Sequence, residues 1–445
     1  MTKRATDGIS YEELQQRRRK HMLQLQKTAR SKKIGVHRAA LDAVSTVMEE
    51  ETALSDHISS LPPRFSPKAY FASQLMHPEW MTDVPPDLGV DWYVLPRPEG
   101  KRCLLVSSGG RTVSRLRSGS VLHNLQSSLP EGGGGPSSSC GREAAACMLD
   151  CIYHESDRTY YAQDLLMWRG HAFTECTAEF RLFWLHSKMA ENGESVPSAD
   201  VMQKAISSHN AISDEAPRAS DMDEDIEGVS TSAPPPPFFT LTDPEGVTYR
   251  LQALPVSIAD VRGLTHAYSG GRLSFVRDGV YFLHRDSHYF CGHKSCPLAL
   301  LWKDASCSTY LVDTDAGGNQ LPDQHVTLEY RMDGTVATDD DPPVVLGKLP
   351  ASFLLQMAKH LRPGRLLKFS IGEGGFTFHE GHPCGADLKY IGPGNQRRGR
   401  ADQLSKVLFQ YRVRTNPVTF NMLMLSAASP VVALEGENMT GDSDR

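Results

Sequence analysis

The chain has 445 residues, 40% of them hydrophobic and 22% charged, with a formal net charge of −6. That length gives room for more than one domain and at least one substantial core. No run approaches the ~20 apolar residues of a membrane-spanning helix, the N-terminus lacks the apolar core of a secretory signal, and nine scattered cysteines do not read as a disulfide framework, so a reducing compartment is expected.

The charge is unevenly spread. Residues 1–38 hold eleven Lys/Arg against three acids, a local charge of +8, which leaves −14 for the rest. A basic arm on an acidic body suits an acidic partner groove or a nonspecific grip on RNA. Within the arm, YEELQQRRRKHMLQLQKTAR (11–30) contains no Gly or Pro and predicts a helix that weakens after Ser31. Leu14, Arg18 and Met22 fall at i, i+4 and i+8, with Leu23 and Leu25 beside them. So thin an apolar stripe is expected to order only on a partner.

Residues 41–69 read as an acidic, polar linker rich in proline near its end. WYVLPRPEGKRCLLVSS (92–108) predicts two strands around a turn at Pro98–Gly100, PEGGGGPSSSC (130–140) a loop, and CMLDCIYH (147–154) with TYYAQDLLMW (159–168) a pair of strands. Trp92, Trp168 and Trp184 are expected in the core. The acidic stretch 190–238, closing on four prolines, predicts a disordered insertion. Strands resume at 273–285 and 297–304. Residues 316–430 are Gly-punctuated and strand-rich, with one helix at 351–361, and suggest a small OB-like barrel ahead of a disordered tail at 431–445.

Several short motifs follow one another in a telling order. Arg97-Pro98-Glu99-Gly100-Lys101-Arg102 resembles the K-x-D-G-x-R motif of the nucleotidyltransferase superfamily, which holds capping guanylyltransferases and DNA ligases. There the first lysine is the nucleophile; here it is Arg97, whose guanidinium stays protonated and cannot form the phosphoramidate. Leu149-Asp150-Cys151-Ile152 resembles the L-D-G-E strand with its glutamate replaced. Arg277-Asp278-Gly279-Val280-Tyr281, Leu301-Trp302-Lys303 and Arg412-Val413-Arg414-Thr415-Asn416-Pro417 resemble the later motifs. An ordered scaffold without its nucleophile points to binding without catalysis.

A closer resemblance rests on the basic helix, SQLMHPEWMTDVPPDLGVDW (73–92), EGKR (99–102) and the stretch 149–189 with its WRGH and FRLFWLHSK segments. Together these resemble the snurportin family, nuclear import adaptors that recognise the 2,2,7-trimethylguanosine cap of spliceosomal small nuclear RNAs. The resemblance implies an α+β, nucleotidyltransferase-like (guanylyltransferase-like) cap-binding domain of antiparallel sheets at 70–315. It would lie behind an N-terminal basic helix at 1–40. In such a domain Trp302 would stack on the base, which N7 methylation makes cationic. Trp80 would pack near the cap nucleotides, although His77 and Pro78 depart from the family pattern beside it. Arg102 and Arg117 would face the triphosphate, with Arg97 and Lys101 as further donors.

The same resemblance makes the arm an importin-β-binding segment, contacting through Arg17, Arg18, Arg19, Lys20, Leu23, Gln24, Lys27 and Arg30. It further implies a capped snRNP as cargo, recycling by the general exportin, shuttling between cytoplasm and nucleus, and no membrane association. No catalytic residue and no cofactor are expected. His288, Cys291, His293 and Cys296 offer zinc-type donors, but their spacing is not a common zinc frame, and no metal is expected. Two alternatives stand beside this reading. One is an RNA-capping guanylyltransferase, active or degenerate; the other is an RNA-binding protein indifferent to the cap.

Overall fold

The computed structural model describes residues 9–47, 67–133, 146–192, 237–269, 273–292, 294–308, 311–314, 319–396 and 399–429, with backbone only at 32–47, 67 and 192. The Gly-rich loop from 134, most of the 190–238 insertion, the linker at 48–66, the tail from 430 and His293 lie outside the described residues.

Helix α1 (Tyr11–Val47) is followed by the short helices α2 (Pro67–Ala72) and α3 (Leu88–Asp91), which flank strand β1 (His77–Trp80). Then come β2 (Trp92–Pro98), β3 (Lys101–Ser108), β4 (Arg111–Leu116), β5 (Val121–Ser127), β6 (Cys147–His154), β7 (Thr159–Trp168) and β8 (His171–Ala172). Helix α4 (Ala178–Asn192) precedes β9 (Phe239–Thr242), β10 (Thr248–Ala253) and β11 (Ser257–Ile258). Helix α5 (Val261–Ser269), β12 (Arg277–His284) and β13 (Ser295–Trp302) complete the body.

Two sheets form that body. An eight-stranded sheet runs β10-β9-β5-β4-β3-β6-β7-β8, and the pairing of β10 with β7 closes it into a barrel with β8 appended. A five-stranded sheet runs β1-β13-β12-β2-β11. The strand period of two explains how they share β3: Cys103 and Leu105 pack inside the barrel, whereas Leu104 and Val106 pack against Leu95, Leu283 and Leu298 of the other sheet. The expected turn between β2 and β3 is present. Gly100 there has φ +145°, and a Cβ would lie 2.2 Å from the Tyr153 carbonyl oxygen, so only glycine fits. β6 and β7 pair antiparallel as expected, and Trp92 and Trp168 are buried.

The outer face of the five-stranded sheet is covered by α3, α5 and a C-terminal helix, with Trp92, Phe282, Leu300 and Trp302 in the core beneath them. Strands β14 (His325–Tyr330), β15 (Thr335–Ala337), β16 (Val345–Lys348), β17 (Leu366–His379) and β18 (His382–Pro393) form a third sheet in the order β16-β15-β14-β17-β18. Gly347 of β16 faces Leu388 of β18 closely enough to round this sheet into a barrel. Helix α6 (Ala351–Met357) sits between its third and fourth strands, which gives the connectivity of an OB-like barrel.

Helices α7 (Leu404–Thr415) and α8 (Phe420–Ala428) then return the chain to the body. The strand-rich expectation for 316–430 is corrected at this end. LSKVLFQYRVRT is helical because it buries a face against the existing sheets, which overrides its β-branched and aromatic content. FNMLMLSAA is rich in Met, Leu and Ala, which favour a helix.

Candidate functional site

β1 carries His77 and Trp80 and lies parallel to β13. Trp80 is half-buried. Phe409 of α7 packs on its ring at 4.7 Å between centroids, its backbone N–H donates to Ser405 Oγ at 3.3 Å, and the Lys303 ammonium lies 5.9 Å from the ring centroid. A cavity of about 330 Å³ opens beside Trp80, lined also by Asp313, Thr314, Lys406 and Gln410. A second, of about 310 Å³, reaches Lys303, Phe409 and Arg412, and Leu311 lines both. An indole wall beside polar groups in a cavity of this size suits a planar aromatic ring.

Trp302 is placed differently. It is 0% exposed, its indole N–H donates to the Val418 carbonyl oxygen at 2.8 Å, and Tyr268 and Phe420 pack around it. The expectation of an open stacking face at 302 is therefore corrected. The segment leading into α8 covers the sheet there, and no pattern within residues 301–303 records that cover.

Beyond Lys303 lies a knot of charge. Arg97 and Lys303 both pair with Asp278, and Ser308 Oγ donates to the same carboxylate at 2.6 Å. Burial pushes the pKa values of the Arg97 guanidinium and the Lys303 ammonium down, with Asp278 opposing it in both. Arg102 holds Asp150 through two bonds, at 3.0 and 2.6 Å, and Tyr289 donates its hydroxyl to that carboxylate at 2.7 Å. Burial opposes the charge of Arg102, but Asp150 outweighs it and leaves the guanidinium above its ordinary value.

Arg117 is the exception. It donates to His77 Nδ1 at 2.9 Å, and no carboxylate among the described residues pairs with it. Although it stands at the surface, protein crowds the guanidinium; burial, then the like charges of Arg102, Arg97 and Arg400, push its pKa down to about 10. An anion is what this corner lacks. Lys101 points elsewhere, to an exposed pair with Glu155 at 3.0 Å that contributes little. The structure thus gathers His77, Arg117, Arg102 and Arg97, links them through Asp278 and Lys303 to Trp80, and leaves Lys101 and Trp302 aside.

The arm is not unpartnered. Arg18 pairs with Glu79 at 2.7 Å, Arg19 with Asp83 at 2.7 Å and Lys27 with Asp286 at 3.9 Å. Leu23 packs against the body, whereas Arg17, Lys20, Gln24 and Arg30 are exposed. The helix runs on past Ser31 to Val47, and its buried stripe is Tyr11, Gln15 and Arg19, not the Leu14 and Arg18 positions expected. Two of those three residues are polar, which is why apolar spacing misplaced the stripe.

Of the zinc-type donors, Cys296 is buried with its thiol pushed up to about 12, and Cys291 is raised to about 11, both by burial. Asp87, Asp91 and His284 converge instead. His284 Nδ1, however, accepts the Asp286 N–H at 3.2 Å, which leaves the ring proton on Nε2 and does not favour a ligand role.

The residues sequence reasoning missed are Phe409, Lys406 and Gln410 of α7. Their signal is only tertiary, since more than 300 residues separate them from Trp80.

Residues 74–215 match the family model described as Snurportin1, m3G cap-binding domain. The match covers less than half of the chain and includes His77, Trp80, Arg97, Lys101, Arg102 and Arg117, with Trp302 outside it. Among solved structures, a mycobacterial DNA ligase D complexed with ATP and MES is 13% identical, covering 75% of this chain and 99% of its own at a TM-score of 0.25. A Chlorella virus DNA ligase-adenylate is 12% identical, covering 72% and 99% at a TM-score of 0.24. At such TM-scores the likeness decides nothing about this chain's fold. No helix among the described residues is long and apolar enough to cross a membrane.

Proposed function

We propose that this chain is a nuclear import adaptor that binds the 2,2,7-trimethylguanosine cap of small nuclear RNAs and carries importin-β on its N-terminal helix. The observation that carries the reading is the join of Trp80 to a cationic corner through Lys303, Asp278 and Arg97, within and beside the stretch that matches the cap-binding family model. Trp80 would stack the base, and Arg117, unneutralised beside His77, would take a phosphate.

The ion-paired Arg97 favours binding without nucleotidyl transfer. A lysine nucleophile must shed its proton, and a guanidinium does not. Shuttling between cytoplasm and nucleus, with return by the general exportin, belongs to the same proposal. A capping guanylyltransferase remains the second reading on the strength of the OB-like barrel.

The test is a titration of trimethylated and monomethylated cap analogues on the full chain and on Trp80→Ala. Preferential trimethyl binding, weakened in the variant, is expected. Equal affinity for both caps, or no effect of the variant, would overturn the assignment.

A further inference from the structure

Helix α1 lies against the body through contacts too specific for a loosely attached arm. Its inward residues Tyr11, Gln15 and Arg19 follow i, i+4 and i+8, and Met22, Leu23 and Gln26 continue the face. Arg19 is 6% exposed and grips Asp83 with two bonds, at 2.8 and 2.7 Å. Tyr11 shares a hydrogen bond of 2.8 Å with Thr82 Oγ1, and Arg412 lies over its ring at 5.2 Å. Further along, the His288 N–H donates to Gln26 Oε1 at 3.2 Å.

The C-terminal barrel closes on the same helix. Gly381, in the β17–β18 turn, has φ +74°, and a Cβ there would come within 2.7 Å of the Ser10 carbonyl oxygen. Phe378 meets Tyr11 edge-on at 6.1 Å. Body and barrel therefore both hold residues 10–26.

We propose that this docking is a latch on the receptor segment. Arg18, Arg19 and Leu23 face the body and Lys27 reaches Asp286 at its edge, while Arg17, Lys20, Gln24 and Arg30 stay open to an acidic partner. Such a receptor can meet the open face first, guided by charge, but can surround the helix only after Arg19 leaves Asp83. Release exposes Asp83 and Glu79, which are 3% and 5% exposed when latched, without their counter-ions, and that penalty opposes receptor binding. Since Glu79 and Asp83 flank Trp80 in sequence, the latch also holds the segment that forms the aromatic wall of the site. The inference rests on the importin-β reading for the identity of the receptor, and on geometry alone for the docking.

The experiment uses the full chain with two variants, Tyr11→Phe, which removes only the hydroxyl bonded to Thr82, and Asp83→Asn. Amide hydrogen exchange of residues 14–26 reads the docking without any partner, and exchange of β6 and β7 reports whether the body is folded. In the wild type residues 14–26 should be protected. Exchange there should quicken about tenfold in the variants, and importin-β should bind them severalfold more tightly. Exchange in the wild type as fast as in a free peptide would overturn the latch, as would faster exchange in both variants with no gain in importin-β affinity. No importin-β binding to any form would overturn the receptor half and the adaptor reading together, and the exchange contrast would then judge the docking on its own.

Discussion

Trp302 donates its indole N–H to the Val418 carbonyl oxygen, 2.8 Å away, and so ties β13 to the start of α8. The bond closes the helix-covered face of the five-stranded sheet over a core that includes Val280, Phe282 and Leu300. A ligand could reach that indole only by displacing residues 418–420.

Replacing this residue therefore tests structure against site. Trp302→Ala should cost about 3–5 kcal/mol in denaturant unfolding, the usual price of emptying a buried aromatic position. Trp302→Phe should cost less, since it keeps most of the apolar volume. A Trp302→Ala protein of unchanged stability that no longer binds cap analogue would restore the stacking role to 302.

Trp80 should behave in the opposite way. It is half-exposed and faces a cavity, so Trp80→Ala should lose on the order of 1–3 kcal/mol of cap-analogue binding with a smaller loss of stability. Isothermal titration beside thermal melting separates the two. A large drop in melting temperature with intact binding would make Trp80 a packing residue only.

Arg117 carries a charge that its surroundings disfavour: burial and the like charges of Arg102, Arg97 and Arg400 outweigh the opposing Asp150. Arg117→Gln should leave the ligand-free protein as stable as the wild type or more so. It should also weaken binding of a triphosphate-bearing cap and lower the salt dependence of that binding by about one unit of slope. Loss of stability without change in the salt slope would contradict the phosphate role.

On the proposed reading, incubation with labelled GTP and Mg²⁺ should give no covalent guanylate, because the position that resembles a lysine nucleophile holds Arg97, a guanidinium paired with Asp278. A labelled band on a denaturing gel would establish catalysis and favour the guanylyltransferase reading.

Stability should fall on mild acidification. Burial lowers the pKa values of His186, His284 and His288; around His284 the carboxylates Asp87, Asp91 and Asp286 oppose that push without reversing it. A base whose folded pKa lies below its unfolded value binds protons more readily when unfolded. The stability present above the unfolded value, ~6.5, is therefore lost as the pH drops through and below it. Melting temperatures from pH 7.5 to 5 should decline, and His284→Gln should flatten the slope. A flat profile in the wild type would show that these imidazoles are not held neutral.

Local pattern was enough for much of this molecule. Alternation and turn chemistry placed β2, β3, β6 and β7, because strand period and a required glycine are properties of neighbouring residues. The basic helix was legible from composition, and Arg97 in place of a lysine came from a motif resemblance. Which face of that helix is buried was not. The face is set by Asp83 and Thr82, more than 60 residues away, and it buries an arginine that periodicity alone assigns to solvent.

The sequence by itself determined the charge asymmetry, the strand-rich body and the residue types available for a base and its phosphates. Tertiary structure decided which of them stand together. It buried Trp302 under Val418, left Trp80 facing a cavity, neutralised Arg97 with Asp278, and paired Arg117 with no carboxylate among the described residues. Residue type sets what a side chain can do. Burial and counter-ions set whether it is free to do it, and both come from segments that only folding brings into contact.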